Sequence, residues 1–126
     1  MKENKYGIKK FIKSVGYALE GIKHGYTAGQ NIIIMTILGI LAIVLAFVFK
    51  IEKSEFLIIL VLIGIILPLE LINTAIEAAI DLHDKDKRST YGKIAKDCAA
   101  GALTIASIMA AIIGLVIFMP YIIELF

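Results

Sequence analysis

Polar and apolar residues are sorted along this chain into blocks rather than interleaved. Residues 32 to 49, IIIMTILGILAIVLAFVF, carry no charge. A second apolar run starts at residue 56, continues past Glu70 and ends at Ile80, and a third, residues 98 to 118, is again uncharged. A helix needs about 20 apolar residues to cross ~30 Å of hydrocarbon, and each run meets that need, the second only with its carboxylates inside. Three transmembrane helices are therefore predicted, at about 31–49, 56–80 and 98–119. Ahead of them, residues 5–25 place Phe11, Val15, Ala18, Leu19 and Ile22 on one stripe, with Lys9, Lys10, Lys13 and Glu20 on the remainder. That is the pattern of an amphipathic helix lying in the headgroup layer. Gly25, Gly29 and Gln30 mark a bend into the first span. The fold class is an all-α membrane protein, a surface helix plus three spans, forming one domain over residues 1–126.

Composition sharpens this reading. With 126 residues and 60% hydrophobic content, the chain is too apolar for a water-soluble core of its size. Its net charge of +2 is too small to suggest a nucleic-acid partner, but the placement of the charges is informative. Lys2, Lys5, Lys9, Lys10, Lys13 and Lys23 precede the first span, and Lys85, Lys87, Arg88, Lys93 and Lys96 lie between the second and third. Only Lys50 and Lys53 fall in the KIEKSE turn. The positive-inside rule then expects the N-terminus and the 81–97 connection in the cytoplasm, with the protein in the inner (plasma) membrane. The first apolar run has no small-residue cleavage site behind it, so it is expected to be a retained span. Cys98, as the single cysteine, excludes an intramolecular disulfide and reads as a packing residue. Pro68, four residues after Gly64, suggests a kink in the second span. Ala102, Ala106, Ala110 and Gly114 form a ridge that permits close helix contact. Three helices enclose a polar site poorly, so a homo-oligomer is expected.

Within the second span, LELINTAIEAAID (residues 69–81) breaks the apolar pattern. At ~100° per residue, Glu70, Asn73, Glu77 and Asp81 fall within an arc of about 80°. With this span running inward, Asp81 sits at the cytoplasmic surface, Glu77 ~6 Å deeper and Glu70 ~16 Å deeper. Lys96 and Asp97 open the third span at the same level, where they are expected to face Glu77 and Asp81. Carboxylates near an interface suit Mg²⁺, which takes a few protein oxygens together with phosphate oxygens. A lysine beside them neutralises phosphate charge. A deeper carboxylate, withdrawn from water, is placed to accept a proton from a lipid alcohol. On spacing alone, phosphoryl transfer stays open beside a structural role for the same groups as interhelical hydrogen bonds and ion pairs. The Walker-type GxxxxGK[ST] loop is missing from the sequence.

The block ELINTAIEAAID (residues 70–81) resembles the signature of the small bacterial integral-membrane diacylglycerol kinase family. The AKD at 95–97, followed by AAGA, is similar to that family's second motif, and Gly16, Tyr17 and Gly21 match a G-Y-x-x-x-G element in its surface helix. The ending IGLVIFMP resembles the Gram-positive branch, whose usual substrate is undecaprenol rather than diacylglycerol. The resemblance implies a homotrimeric lipid kinase that uses MgATP at the cytoplasmic membrane surface. It implies Glu70 as general base and Asn73 as support for that base and the substrate. Glu77 becomes the metal ligand beside the ATP phosphates, Lys96 and Asp97 nucleotide contacts, and Asp81 the mouth of the site. Tyr17 would lie near both lipid and nucleotide, and the 82–95 loop would cover the adenine.

The chain departs from the family pattern at Gly29, the serious case, and also at Gln30 (usually basic), Ile33 (usually polar) and Ala18 (serine in some members). Members usually carry a glutamate, the second metal ligand, where this chain has Gly29 in AGQN. Three functions are therefore carried forward: an undecaprenol kinase, a diacylglycerol kinase making phosphatidic acid, and a metal-impaired, non-catalytic relative. A small proton-coupled exporter, from another class, fits poorly. Such proteins usually have four spans and almost no polar loop.

Overall fold

The computed structural model describes residues 7–126, which form helices α1 (Ile8–Ala28), α2 (Gln30–Phe49), α3 (Lys53–His83) and α4 (Thr90–Glu124). Residues 5 and 6 of the expected surface helix lie outside the described residues. Helices α2, α3 and α4 are each long and apolar enough to cross a membrane. Their flanks expose large aliphatic side chains, among them Ile37, Val61 and Val116, each at least 60% exposed. Such a surface is a liability in water and an asset in lipid. Helix α1 likewise leaves Ile8, Phe11, Ile12 and Leu19 uncovered along one stripe, in keeping with an interfacial position.

The turns follow from local chemistry. Gly29 ends α1 and starts α2 with extended backbone (φ −127°, ψ 134°), and its N–H donates to the Gly25 carbonyl at 3.2 Å. Tyr26 and Thr36 hydroxyls meet across this bend at 2.6 Å, which ties the surface helix to the first span. Between α2 and α3, Lys50 adopts a left-handed conformation (φ 51°) that closes α2. Glu52 and Glu55 form a reciprocal capping box that opens α3. Tyr121 near the end of α4 donates to Glu55 Oε1 at 2.5 Å. Just inside that link lies the chain's core, Ala46, Ile59 and Ile117, with Ile113 and Phe118 packed against it. Tilted ring pairs Phe47–Phe56, Phe49–Phe118 and Phe49–Tyr121 surround it. This end of the bundle is tightly tied.

At the opposite, basic end the expected polar loop is much shorter than 82–95. Only residues 84–89 are non-helical. Helices α3 and α4, with 31 and 35 residues, are about 46 and 52 Å long at 1.5 Å per residue. Both exceed the ~30 Å hydrocarbon layer, and their polar turns continue beyond it as helix. A helix supplies its own backbone hydrogen bonds, so leaving the apolar layer gives no reason to unwind. Ser89 sets the start of α4 by accepting the Gly92 N–H at 3.1 Å. Helix α3 remains helical through Pro68.

Candidate active site

The acidic stripe of α3 is the site's backbone. Glu70 is a buried charged residue at 5% exposure. One turn on, Thr74 donates its hydroxyl to the Glu70 carbonyl at 3.0 Å. Asn73 Nδ2 donates to Glu77 Oε1 at 3.2 Å, so amide and carboxylate of the same face are joined. Glu77 and Asp81 are exposed, and Lys96 reaches across from α4 to Asp81 Oδ1 at 2.5 Å. Lys96 also feels the charges of Glu77 and Asp84. The arrangement thus passes from a buried carboxyl to an exposed ion pair along one face.

Lys96 and Asp97 do not share a partner. Asp97 turns to Lys93, one turn back on its own helix, at 2.6 Å. Neighbouring helix residues diverge by ~100°, so only one of the two can face α3. Asp97 and Lys96 nevertheless line one recess of about 180 Å³, together with Asp84, Lys87, Ser89, Gly92 and Lys93. Tyr17 is 68% exposed and does not line the groove between α1 and α3. Cys98 is exposed rather than packed. The small-residue ridge of α4 is also loose within the chain: Ala102 is exposed, and a Cβ at Gly114 would meet nothing within 4 Å.

Which residues suit a divalent cation? Asn73 Oδ1 is buried and has no hydrogen-bond partner among the described residues, while the adjoining Glu77 carboxylate is open to water. No group of three His, Cys, Asp or Glu side chains gathers at metal-binding distance among the described residues. This donor set fits Mg²⁺, which commonly binds through one or two carboxylates and completes its shell with phosphate oxygens and water. Gly29 adds no ligand. Its backbone does not require glycine, and a Cβ there would find its nearest atom, the Gly25 carbonyl oxygen, at an ordinary 3.5 Å.

A groove of about 400 Å³ separates α1 from α3, lined by Ala18, Gly21 and Gly25 on one side and Leu71, Ala75 and Ala78 on the other. His24 lines it too. Thr74, whose hydroxyl binds the Glu70 carbonyl, forms part of the same wall. The groove is apolar and borders the acidic stripe. Gly25 is buried because Leu71 Cδ2 occupies the space a Cβ would need.

Sequence reasoning missed Asp84, Ser89 and Gly92. Asp84 accepts the backbone N–H groups of Arg88 and Ser89. The Ser-Thr pair at 89–90 is an N-cap signal that marks where α4 begins. The contacts of Asp84 and Gly92 have no comparable signature.

The family described as "Prokaryotic diacylglycerol kinase" matches residues 16–118. An undecaprenol kinase from Bacillus subtilis is 35% identical over 119 residues, covering 94% of this chain and 96% of the relative. A diacylglycerol kinase from Synechocystis is 33% identical over 112 residues, 89% of this chain and 64% of the relative. A diacylglycerol kinase from Pseudomonas aeruginosa is 27% identical over 100 residues, 79% and 80% of the two chains.

Proposed function

The chain belongs to the prokaryotic diacylglycerol kinase family, and we propose that it transfers the γ-phosphate of ATP to a membrane lipid alcohol, undecaprenol. The observation that carries this reading is a buried carboxyl, Glu70, on the same helical face as the exposed Asp81–Lys96 pair. A greasy acceptor and a highly charged donor need opposite surroundings, and this face offers both. Glu70 takes the proton of the lipid hydroxyl. The alcohol oxygen bonds to the γ-phosphorus as the bond to the β–γ bridging oxygen breaks, and ADP leaves with the electron pair. Asn73 steadies Glu77 and the acceptor. Lys96 exchanges Asp81 for phosphate oxygens, so that Asp81 frames the mouth. Glu77, with Asn73 beside it, would hold Mg²⁺, and that ion would supply neutralisation of phosphate charge. Asp97, Lys96 and the recess they line serve the nucleotide, and Tyr17, exposed on α1, is assigned to the lipid and nucleotide by motif position alone.

The apolar groove between α1 and α3 supplies a place for the acceptor's hydrocarbon next to Glu70. Lysines concentrated at the basic end favour a cytoplasmic site in the plasma membrane. Ala110 and Gly114 of the α4 ridge line a cavity against α2 and α3, which leaves the exposed Ala102 end for contact with a further copy, and we take the assembly to be a homotrimer. Undecaprenol is preferred because the relative of that name aligns over almost the whole of both chains. Diacylglycerol is the second reading, favoured by the two relatives that carry that name. An assay offering undecaprenol, diacylglycerol and ceramide side by side decides between them. Labelled phosphate should appear first on undecaprenol, and a preference for diacylglycerol would transfer the assignment to the second reading.

A further inference from the structure

We infer that Asp84 is a positioning residue, which holds α4 in register against α3 so that Lys96 stands opposite Asp81; its importance for turnover rests on the lipid-kinase reading above. Asp84 is the first residue after α3. Its Oδ1 accepts the Arg88 N–H at 3.1 Å and its Oδ2 the Ser89 N–H at 3.0 Å. Its carbonyl accepts the Lys87 N–H at 3.1 Å, with Lys87 in the left-handed region (φ 56°). One carboxylate therefore gathers the turn whose last residue, Ser89, caps α4.

The same carboxylate sets how closely the two helices approach. Gly92 is buried, and a Cβ there would lie 3.1 Å from both Asp84 Oδ2 and Ile80 Cγ2. Gly92 and Lys96 are one helical turn apart on α4, and Asp84 follows Asp81 by three residues, just past the end of α3. The space beside Gly92, filled by Asp84 and Ile80, and the Asp81–Lys96 ion pair thus follow one another between the same two helices. Asp81 and Lys96 are 49% and 29% exposed, and an ion pair so open to water is too weak to set helix register itself. The apolar core fixes the far end of this helix pair, and the turn gathered by Asp84 supplies the local constraint at the Lys96 end. Without the carboxylate, the Arg88 and Ser89 N–H groups lose their acceptor, and Lys96 is held less firmly opposite Asp81.

The test uses the full chain in lipid nanodiscs and measures kcat and KM for ATP with Asp84→Ala, Asp84→Asn, Lys96→Met and the Asp84→Ala/Lys96→Met pair. Asp84→Ala should raise KM for ATP about fivefold, while KM for the lipid stays within about twofold. Asp84→Asn, which keeps one of the two acceptor oxygens and turns a donor toward the other N–H, should recover only part of the loss. In the Lys96→Met background, Asp84→Ala should change KM for ATP by less than about twofold, because the group it positions is gone. Equal effects in both backgrounds, or none in either, would overturn the inference. A readout independent of activity is thiol cross-linking of Asp81→Cys with Lys96→Cys, in a chain carrying Cys98→Ser, by a short bifunctional reagent. Asp84→Ala should slow it several-fold, and an unchanged rate overturns the positioning role. Failure of the wild-type chain to phosphorylate any lipid alcohol would instead defeat the kinase reading and leave the cross-linking result to judge Asp84.

Discussion

Lys96 on α4 and Asp81 on α3 meet at 2.5 Å although fifteen residues separate them in sequence. Both are partly open to water, and exposed ion pairs contribute only about 0–1 kcal/mol to stability. The pair therefore does more to park a cation at the mouth of the acidic stripe than to hold the fold. Lys96→Met should leave thermal unfolding almost unchanged while raising KM for ATP at least about tenfold, the size of one lost charge-assisted phosphate contact. Steady-state kinetics at saturating lipid check this. An unaltered KM with a large drop in melting temperature would reassign Lys96 to structure.

Gly29 marks the one place where the chain lacks a carboxylate that the family pattern supplies. Its extended backbone and open Cβ direction accept Gly29→Glu without strain. The variant should lower the Mg²⁺ concentration for half-maximal activity by up to about tenfold, the gain expected from one added ligand. Gly29→Gln separates charge from size and should do much less. Identical Mg²⁺ titrations for all three proteins would show that this position does not face the metal.

Gly25 fits under Leu71 only because it has no side chain. Gly25→Val should push α1 away from α3 and reshape the groove beside Glu70. KM for the lipid should rise several-fold with KM for ATP little changed. Adding Leu71→Ala opens the space that the new side chain needs and should restore much of the loss. A double variant as poor as Gly25→Val alone would exclude this contact as the cause.

The spans could be read from sequence because apolar runs longer than ~20 residues have few other uses. The helix ends could not, since the polar turns of α3 and α4 continue as helix past the hydrocarbon layer. The stripe from Glu70 to Asp81 was visible as a helical period, and Lys96 as a basic residue at the right level. The divergence of Asp97 was in principle legible from the ~100° step between neighbours. The Gly25–Leu71 contact and the Tyr26–Thr36 and Tyr121–Glu55 hydrogen bonds were not. They join different helices, up to 66 residues apart, and single-chain periodicity carries no information about such pairings.

Tyr121 and Glu55 tie the end of the bundle farthest from the stripe. Tyr121→Phe removes the hydroxyl and keeps the ring beside Phe49. It should lower the unfolding midpoint modestly, because a hydrogen bond to a charged acceptor is lost, with KM for both substrates unchanged. Unfolding in mixed micelles measures the first and the kinetic assay the second. A shift in KM would mean that the two ends of the bundle are coupled.

The central claim is that Glu70 removes the proton from the lipid hydroxyl during phosphoryl transfer. The most direct measurement compares wild-type chain with Glu70→Gln for transfer of labelled γ-phosphate from ATP to undecaprenol, with ATP affinity measured alongside. The account predicts transfer by the wild type, a loss of at least about a hundredfold for the variant, the scale of general-base catalysis, and nearly equal ATP affinity. Transfer by Glu70→Gln at a rate close to that of the wild type would contradict it.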